Sequence, residues 1–199
     1  MSALEIHVRH SVEETRKRII AAARQVYAHK GARGTTTREV AERAGVNEAT
    51  LFRHFGTKHA LIEAMREHYA SIGEFRDAVA QLSGSLEEDL RVIGRQIFDH
   101  MLRNHDLIRM TVAEAAVDPQ ACSSTLRIPR AKFEVLSGYF QARIASGEVR
   151  GDSEWMASCF MSVMFAAACG KHIWCDDPVR NENLVDLWVE TFLNGVRVR

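Results

Sequence analysis

The sequence predicts an all-α protein of nine helices, with a three-helix head at the N-terminus and a helical bundle domain behind it. Three observations predict this. Proline occurs only at positions 119, 129 and 178, so little interrupts a helical run. Apolar residues recur at spacings of three and four nearly throughout, and alternating strand-like runs are lacking. Capping signals punctuate the chain where those runs begin and end. At 199 residues, 46% hydrophobic and 26% charged, the chain is long enough to bury a sizeable core.

Ser11-x-x-Glu14 is a capping box that opens a first helix, with Ile19, Ile20, Ala23, Val26 and Tyr27 as its apolar stripe. A basic last turn and a glycine, Lys30-Gly31, close it. Thr36-x-x-Glu39 opens a short second helix whose inner face is Val40, Ala41 and Ala44. The turn follows at Ala44-Gly45-Val46-Asn47: Gly45 is suited to the left-handed conformation that ends one helix, and Asn47 to capping the next. In the third helix Leu51 and Phe55, four residues apart, face the core. Asn47, Glu48, Thr50, Arg53 and His54 are left pointing outward. Thr57 caps a longer helix from Lys58 to about Leu82, with Leu61, Ile62, Met65 and Tyr69 on one side.

Ser83-Gly84 breaks the chain, and Ser85-x-x-Glu88 opens a helix with Leu86, Leu90, Ile93, Ile97, Phe98 and Met101 inward. A helix over about 105–117 follows. The two prolines make 118–129 a loop, and three helices are expected over 130–146, 154–173 and 179–196. The organisation is therefore a head over 1–57, a connector helix over 58–82 and a body over 83–199.

Two short helices joined by a tight glycine turn are the unit that lays its second helix in the DNA major groove. The charge distribution agrees. Net charge is zero, yet residues 1–70 hold 12 Lys+Arg against 8 Asp+Glu and six of the nine His, while residues 71–199 hold 14 against 18. A basic head on an acidic body suits only one end to phosphates. The N-terminus lacks an apolar signal core, and the longest uncharged run, Trp155 to Gly170, is too short to span a bilayer. Four Cys without a signal peptide point to reduced thiols in a cytoplasm. Nucleophile elbow, His-Glu-x-x-His and glycine-rich phosphate loop are all lacking, so neither enzymatic activity nor a cofactor is expected.

A longer pattern runs through the same region. It comprises Ile20-Ala-Ala-Ala-Arg-Gln-Val-Tyr27-Ala-His-Lys-Gly31, Thr35-Thr36, Val40-Ala-Glu-Arg-Ala-Gly-Val46, Thr50-Leu51-Phe52, Phe55 and Lys58-x-x-Leu61. Over about residues 12–65 the chain resembles the tetracycline-repressor (TetR) family of bacterial transcriptional regulators. Beyond that the resemblance is architectural. It implies a homodimer that reads a palindromic operator in double-stranded DNA, probes it with helix-turn-helix heads, acts as a repressor, and responds to a small molecule bound in the C-terminal domain. Carried over position by position, Thr36 and Lys58 would meet phosphates at helix N-termini, a role their positions suit independently, and Thr37 is a further DNA-binding candidate. Asn47, Glu48, Thr50, Phe52, Arg53 and His54 would face the groove or backbone. Phe52 stands where the family usually has Tyr, which removes one phenol hydrogen bond. Glu48 would accept from cytosine N4 or point away.

In the body, Phe98, Met101, Leu102, Phe133, Leu136, Phe140, Met161 and Phe165 are the candidates for a pocket that takes a mostly apolar effector, with core packing as the alternative for each. The last two helices are apolar on more than one side, as a helix would be that packs inward and against a twin. Met164, Ala168, Leu184, Leu187, Trp188, Thr191 and Phe192 are the candidates for a four-helix dimer interface. Cys169-x-x-His172-x-x-Cys175 would allow a metal- or redox-responsive regulator. Those three positions spread over about a third of a helix circumference with no fourth ligand near in sequence, so no metal is assigned.

Overall fold

The computed structural model describes residues 3–82, 84–117, 119–169 and 183–196. Among these the chain forms ten helical segments: α1 (Ala3–Gly34), α2 (Thr37–Ala44), α3 (Glu48–Phe55), α4 (Lys58–Ala70), α5 (Ile72–Ala80), α6 (Leu86–Arg103), α7 (His105–Val117), α8 (Pro119–Ala145), α9 (Ser153–Cys169) and α10 (Leu184–Val196). No helix among the described residues is long and apolar enough to cross a membrane.

Several boundaries differ from expectation. The helix expected over 58–82 is cut at Ser71, which adopts a left-handed backbone (φ 48°, ψ 39°) and separates α4 from α5. Of the stretch 118–129, expected as a loop, the described residues 119–129 instead begin α8. Pro119 takes the first helical position, where no N–H is required, and Pro129 lies inside the helix. The first helix starts at Ala3, so Ser11 lies within it and its carbonyl accepts from the Thr15 hydroxyl at 2.8 Å. Where Lys30-Gly31 was expected to close it, α1 is kinked instead: Gly31 leaves helical geometry at φ 65°, ψ −176°, and helical backbone resumes to Gly34.

The residues divide into two compact units, Met1–Ala70 with Met110–Pro119, and Ser71–Arg109 with Gln120–Arg199. In the first, the expected stripe of α1 (Ile19, Ile20, Ala23, Val26, Tyr27) is buried with Val40 and Ala41 of α2, Leu51 and Phe55 of α3, and Leu61 and Met65 of α4. The end of α7 joins this unit through one carboxylate. Glu114 accepts from the Tyr27 hydroxyl at 2.5 Å, from Arg66 at 2.9 Å and from the backbone N–H of Ala32. Arg66 also donates to Tyr27 and pairs with Glu63 at 2.8 Å.

In the second unit, Leu90, Ile93 and Ile97 of α6, Leu136 and Phe140 of α8, Phe160 and Met164 of α9, and Val189 of α10 are buried together. Four rings, Phe140, Phe160, Trp188 and Phe192, meet with centroids 5.4–6.4 Å apart, a spacing that favours tilted and edge-on contact. The Ser85–Glu88 capping box forms as its spacing predicts. Just behind it, buried Asp89 accepts from the Gly84 N–H, the Tyr139 hydroxyl and Arg143.

At Gly94, α6 lies close against α9 and α10. A Cβ there would lie 2.7 Å from Val185 Cγ1 and 3.4 Å from Phe160 Cζ. Alanine is the better helix former by about 1 kcal/mol, but buried Val185 and Phe160 leave the new methyl no room. Gly94→Ala is therefore expected to destabilise the protein by about 1–3 kcal/mol in urea unfolding; a neutral or stabilising result would show that these helices part freely.

Candidate nucleic-acid interface

Local hydrogen bonds set the angle between α2 and α3. Thr36 Oγ1 accepts from the Glu39 N–H at 3.2 Å and caps α2. Gly45 ends that helix in the left-handed region (φ 66°, ψ 38°), and the Val46 N–H reaches back to the Ala41 carbonyl at 3.0 Å. Asn47 Oδ1 then accepts from the Thr50 N–H at 2.7 Å and opens α3. Leu51 and Phe55 anchor α3 inward, so Asn47, Glu48, Phe52 and Arg53 are exposed and Thr50 and His54 half-buried. Among the described residues Arg53 forms no hydrogen bond or ion pair, so its guanidinium is available to an acceptor.

Three site residues have partners that sequence spacing could not supply. The Thr37 hydroxyl donates to the Glu48 carboxylate, which ties the first turn of α2 to the first turn of α3. Lys58 Nζ donates to the Arg33 carbonyl at 3.2 Å. Its helix is capped beside it by Thr57 Oγ1, which accepts from the Ala60 N–H at 3.0 Å. His54 is held below the usual histidine range by burial and by the positive charges of Arg53 and Arg16, so at neutral pH it offers one ring N–H without a full charge. Arg16 was not singled out from the sequence; its guanidinium stacks 4.6 Å from the Phe55 ring centroid.

The second unit holds a cavity of about 410 Å³ lined by Ser71, Glu74, Phe75, Val92, Arg95, Gln96, Asp99, His100, Arg103 and Lys132. None of the eight apolar pocket candidates lines it. Phe98, Met101, Leu136 and Phe140 are core, Phe133 and Met161 pack against that core half-buried, and Leu102 and Phe165 are exposed. The cavity is polar because it opens on the outer side of α6, opposite the face that carries Ile93 and Ile97. Burial and the charges of Lys132 and Arg103 push His100 down to about 4, so it is neutral there.

Two family profiles match the chain. That of the bacterial regulatory proteins of the tetR family covers residues 19–65, and that of the C-terminal domain of AefR-like transcriptional repressors covers residues 88–194. The chain belongs to the TetR family. It is a DNA-binding transcriptional regulator of the helix-turn-helix type.

Among TetR-family relatives, it is 33% identical over 153 residues to the uncharacterized HTH-type transcriptional regulator YvkB of Bacillus subtilis, covering 76% of this chain and 79% of that one. It is 25% identical over 201 residues to the HTH-type transcriptional regulator TtgR of Pseudomonas putida, covering 94% and 93%. Among solved structures, the fatty acid degradation regulator FadR from Bacillus halodurans superposes with a TM-score of 0.75 at 19% identity over 93% of this chain and 97% of that one, a likeness of fold.

The interface candidates of this TetR-family chain fall into two groups. Met164, Ala168 and Phe192 are buried within the chain, because the core of the second unit uses them. Leu187, 58% exposed, and Thr191 lie on the outside of α10, with Leu184 and Trp188 half-buried. Cys169 is half-buried and its thiol is pushed up by burial; His172 and Cys175 lie outside the described residues. Among the described residues no group of three or more His, Cys, Asp or Glu is arranged to hold a metal ion.

Proposed function

We propose that two copies of this regulator grip a palindromic operator, block a promoter, and release it when a small effector binds the body. The observation that carries this reading is the exposed face of α3, where Arg53 stands without a partner beside Asn47, Phe52 and the half-buried Thr50 and His54. One eight-residue helix makes few base contacts. Two heads about 34–36 Å apart would read successive major grooves of one site. The N-termini of α2 and α4, with Thr36, Thr37 and Lys58, are proposed to hold phosphates, since free N–H groups and the helix dipole attract anions there. Glu48, engaged by Thr37, ties the first turn of α2 to that of α3 and is assigned no base.

The twin subunit is proposed to cover Leu187 and Thr191 with their half-buried neighbours Leu184 and Trp188, and the protein to act in the cytoplasm where its DNA lies. Effector control needs a coupling of only about 1–3 kcal/mol between body and head. The connector from Lys58 to Leu82, broken at Ser71, is the proposed lever.

Binding to DNA upstream of the protein's own gene, measured across a salt series, tests the division of labour. Arg53→Ala is expected to cost about 1–3 kcal/mol on cognate DNA and much less on scrambled DNA. Lys58→Ala is expected to weaken both equally and to reduce the salt slope by about 1. Equal losses on both DNAs for both variants would refute the assignment, and a strictly monomeric protein on DNA would refute the two-headed grip.

A further inference from the structure

Lys132 of α8 is 7% exposed and lines the cavity between α5, α6 and α8. Among the described residues its Nζ makes no hydrogen bond or ion pair. It lies 5.8 Å from the centroid of the Phe75 ring, and Glu74 attracts it through space without pairing. Its stem is buried while its ammonium opens onto the cavity, where among the described residues no acceptor pairs with it, so only water or a ligand can answer the charge there. Arg95 faces the same cavity, but its guanidinium is already occupied by Asp186 at 3.0 Å. Burial and the nearby Arg103 push the Lys132 ammonium down to about 8, which still leaves it mostly charged at neutral pH.

We propose that this cavity is an anion site, in which the Lys132 ammonium receives the carboxylate of a small organic acid whose apolar part lies against Phe75 and Val92. The wall chemistry selects the class. Glu74 and Asp99 also face the cavity and would repel a dianion, whereas a single carboxylate answers the one uncompensated ammonium. Neutral His100 can hydrogen-bond such a ligand without adding charge. A volume of about 410 Å³ suits a compact molecule. The site deepens the effector reading and rests on it only for its regulatory meaning, because occupancy is a property of the body alone.

Thermal unfolding of the full-length protein in acetate, hexanoate and benzoate tests the site, each acid compared with its primary amide at matched ionic strength. At about ten times its dissociation constant, at least one carboxylate is expected to raise Tm by about 3–5 °C while its amide does nothing. Lys132→Met, which keeps the buried stem and removes the charge, is expected to abolish that response and to raise the unliganded Tm. In the wild type, acylation of Lys132 by acetic anhydride is expected to slow about tenfold in the same carboxylate. The proposal is overturned if no carboxylate moves Tm at about 50 mM, if amides match their acids, if the response survives Lys132→Met, or if Lys132 acylates at an unchanged rate. Operator affinity recorded alongside separates the two readings: a carboxylate that shifts Tm but leaves DNA bound supports the site and removes its effector role.

Discussion

Replacing Glu114 by alanine is expected to lower the unfolding free energy by about 2–4 kcal/mol, somewhat less than the ~3–5 kcal/mol for one partner of a fully buried pair because Glu114 is 19% exposed. The side chain serves three donors at once, the Tyr27 hydroxyl, the Arg66 guanidinium and the Ala32 N–H. Arg66 is 7% exposed, and its Nε already lacks a partner. Without Glu114 it keeps only Glu63 and the Tyr27 oxygen, and the Ala32 N–H loses its side-chain acceptor. A neutral partner should recover part of the loss: Glu114→Gln retains an acceptor oxygen and is expected to cost about half as much. Because Arg66 and Glu114 share one network, Arg66→Met with Glu114→Ala should cost less than the sum of the two single changes. Urea unfolding of the four proteins measures this, and strict additivity or a loss below about 1 kcal/mol would show that the carboxylate is solvated instead.

Asp89→Ala is expected to have a similar effect in the second unit, about 2–4 kcal/mol. Asp89 is 2% exposed and joins the start of α6 to the end of α8. One oxygen takes the Gly84 N–H at 3.2 Å, and the other takes the Tyr139 hydroxyl at 3.0 Å and the Arg143 guanidinium. The hydroxyl of Tyr139 is pushed well above the usual phenol range by burial and by this carboxylate. Without Asp89, Arg143 would retain Glu148 at 2.8–2.9 Å and the Gly84 carbonyl, whereas without Arg143 the buried Asp89 carboxylate would lose its counter-charge, so Arg143→Met should cost more than Asp89→Ala. The reverse ranking in denaturant unfolding would mean that the arginine, not the aspartate, is the group that needs its partner.

The caps of α2, α3 and α4 were legible in the sequence to the level of single atoms, whereas the capping box expected at Ser11 lies inside α1. Thr36, Gly45, Asn47 and Thr57 act on backbone groups within a few residues of themselves, and such contacts depend on spacing alone. The inward choice of Leu51 and Phe55 followed from helical periodicity for the same reason, and it dictated which α3 residues face outward. Periodicity could not distinguish core from pocket or interface in the body, because an apolar residue looks the same in all three. Phe140 and Phe192 were drawn into one aromatic cluster, while the cavity formed on the polar side of α6 from residues 71 to 132 in the chain.

By itself, then, the sequence determined the all-helical class, the reading head with its caps and outward face, and the family. Those properties are written in short-range hydrogen bonds and in a repeat of three to four residues. Only the tertiary structure decided that Ser71 breaks the connector, that Glu48 is held by Thr37, that Gly94 lies against Val185, and that the Lys132 ammonium faces a cavity with no paired acceptor among the described residues. Each depends on groups brought together from distant positions or on backbone strain that packing imposes, and no local pattern encodes a distance between separate helices.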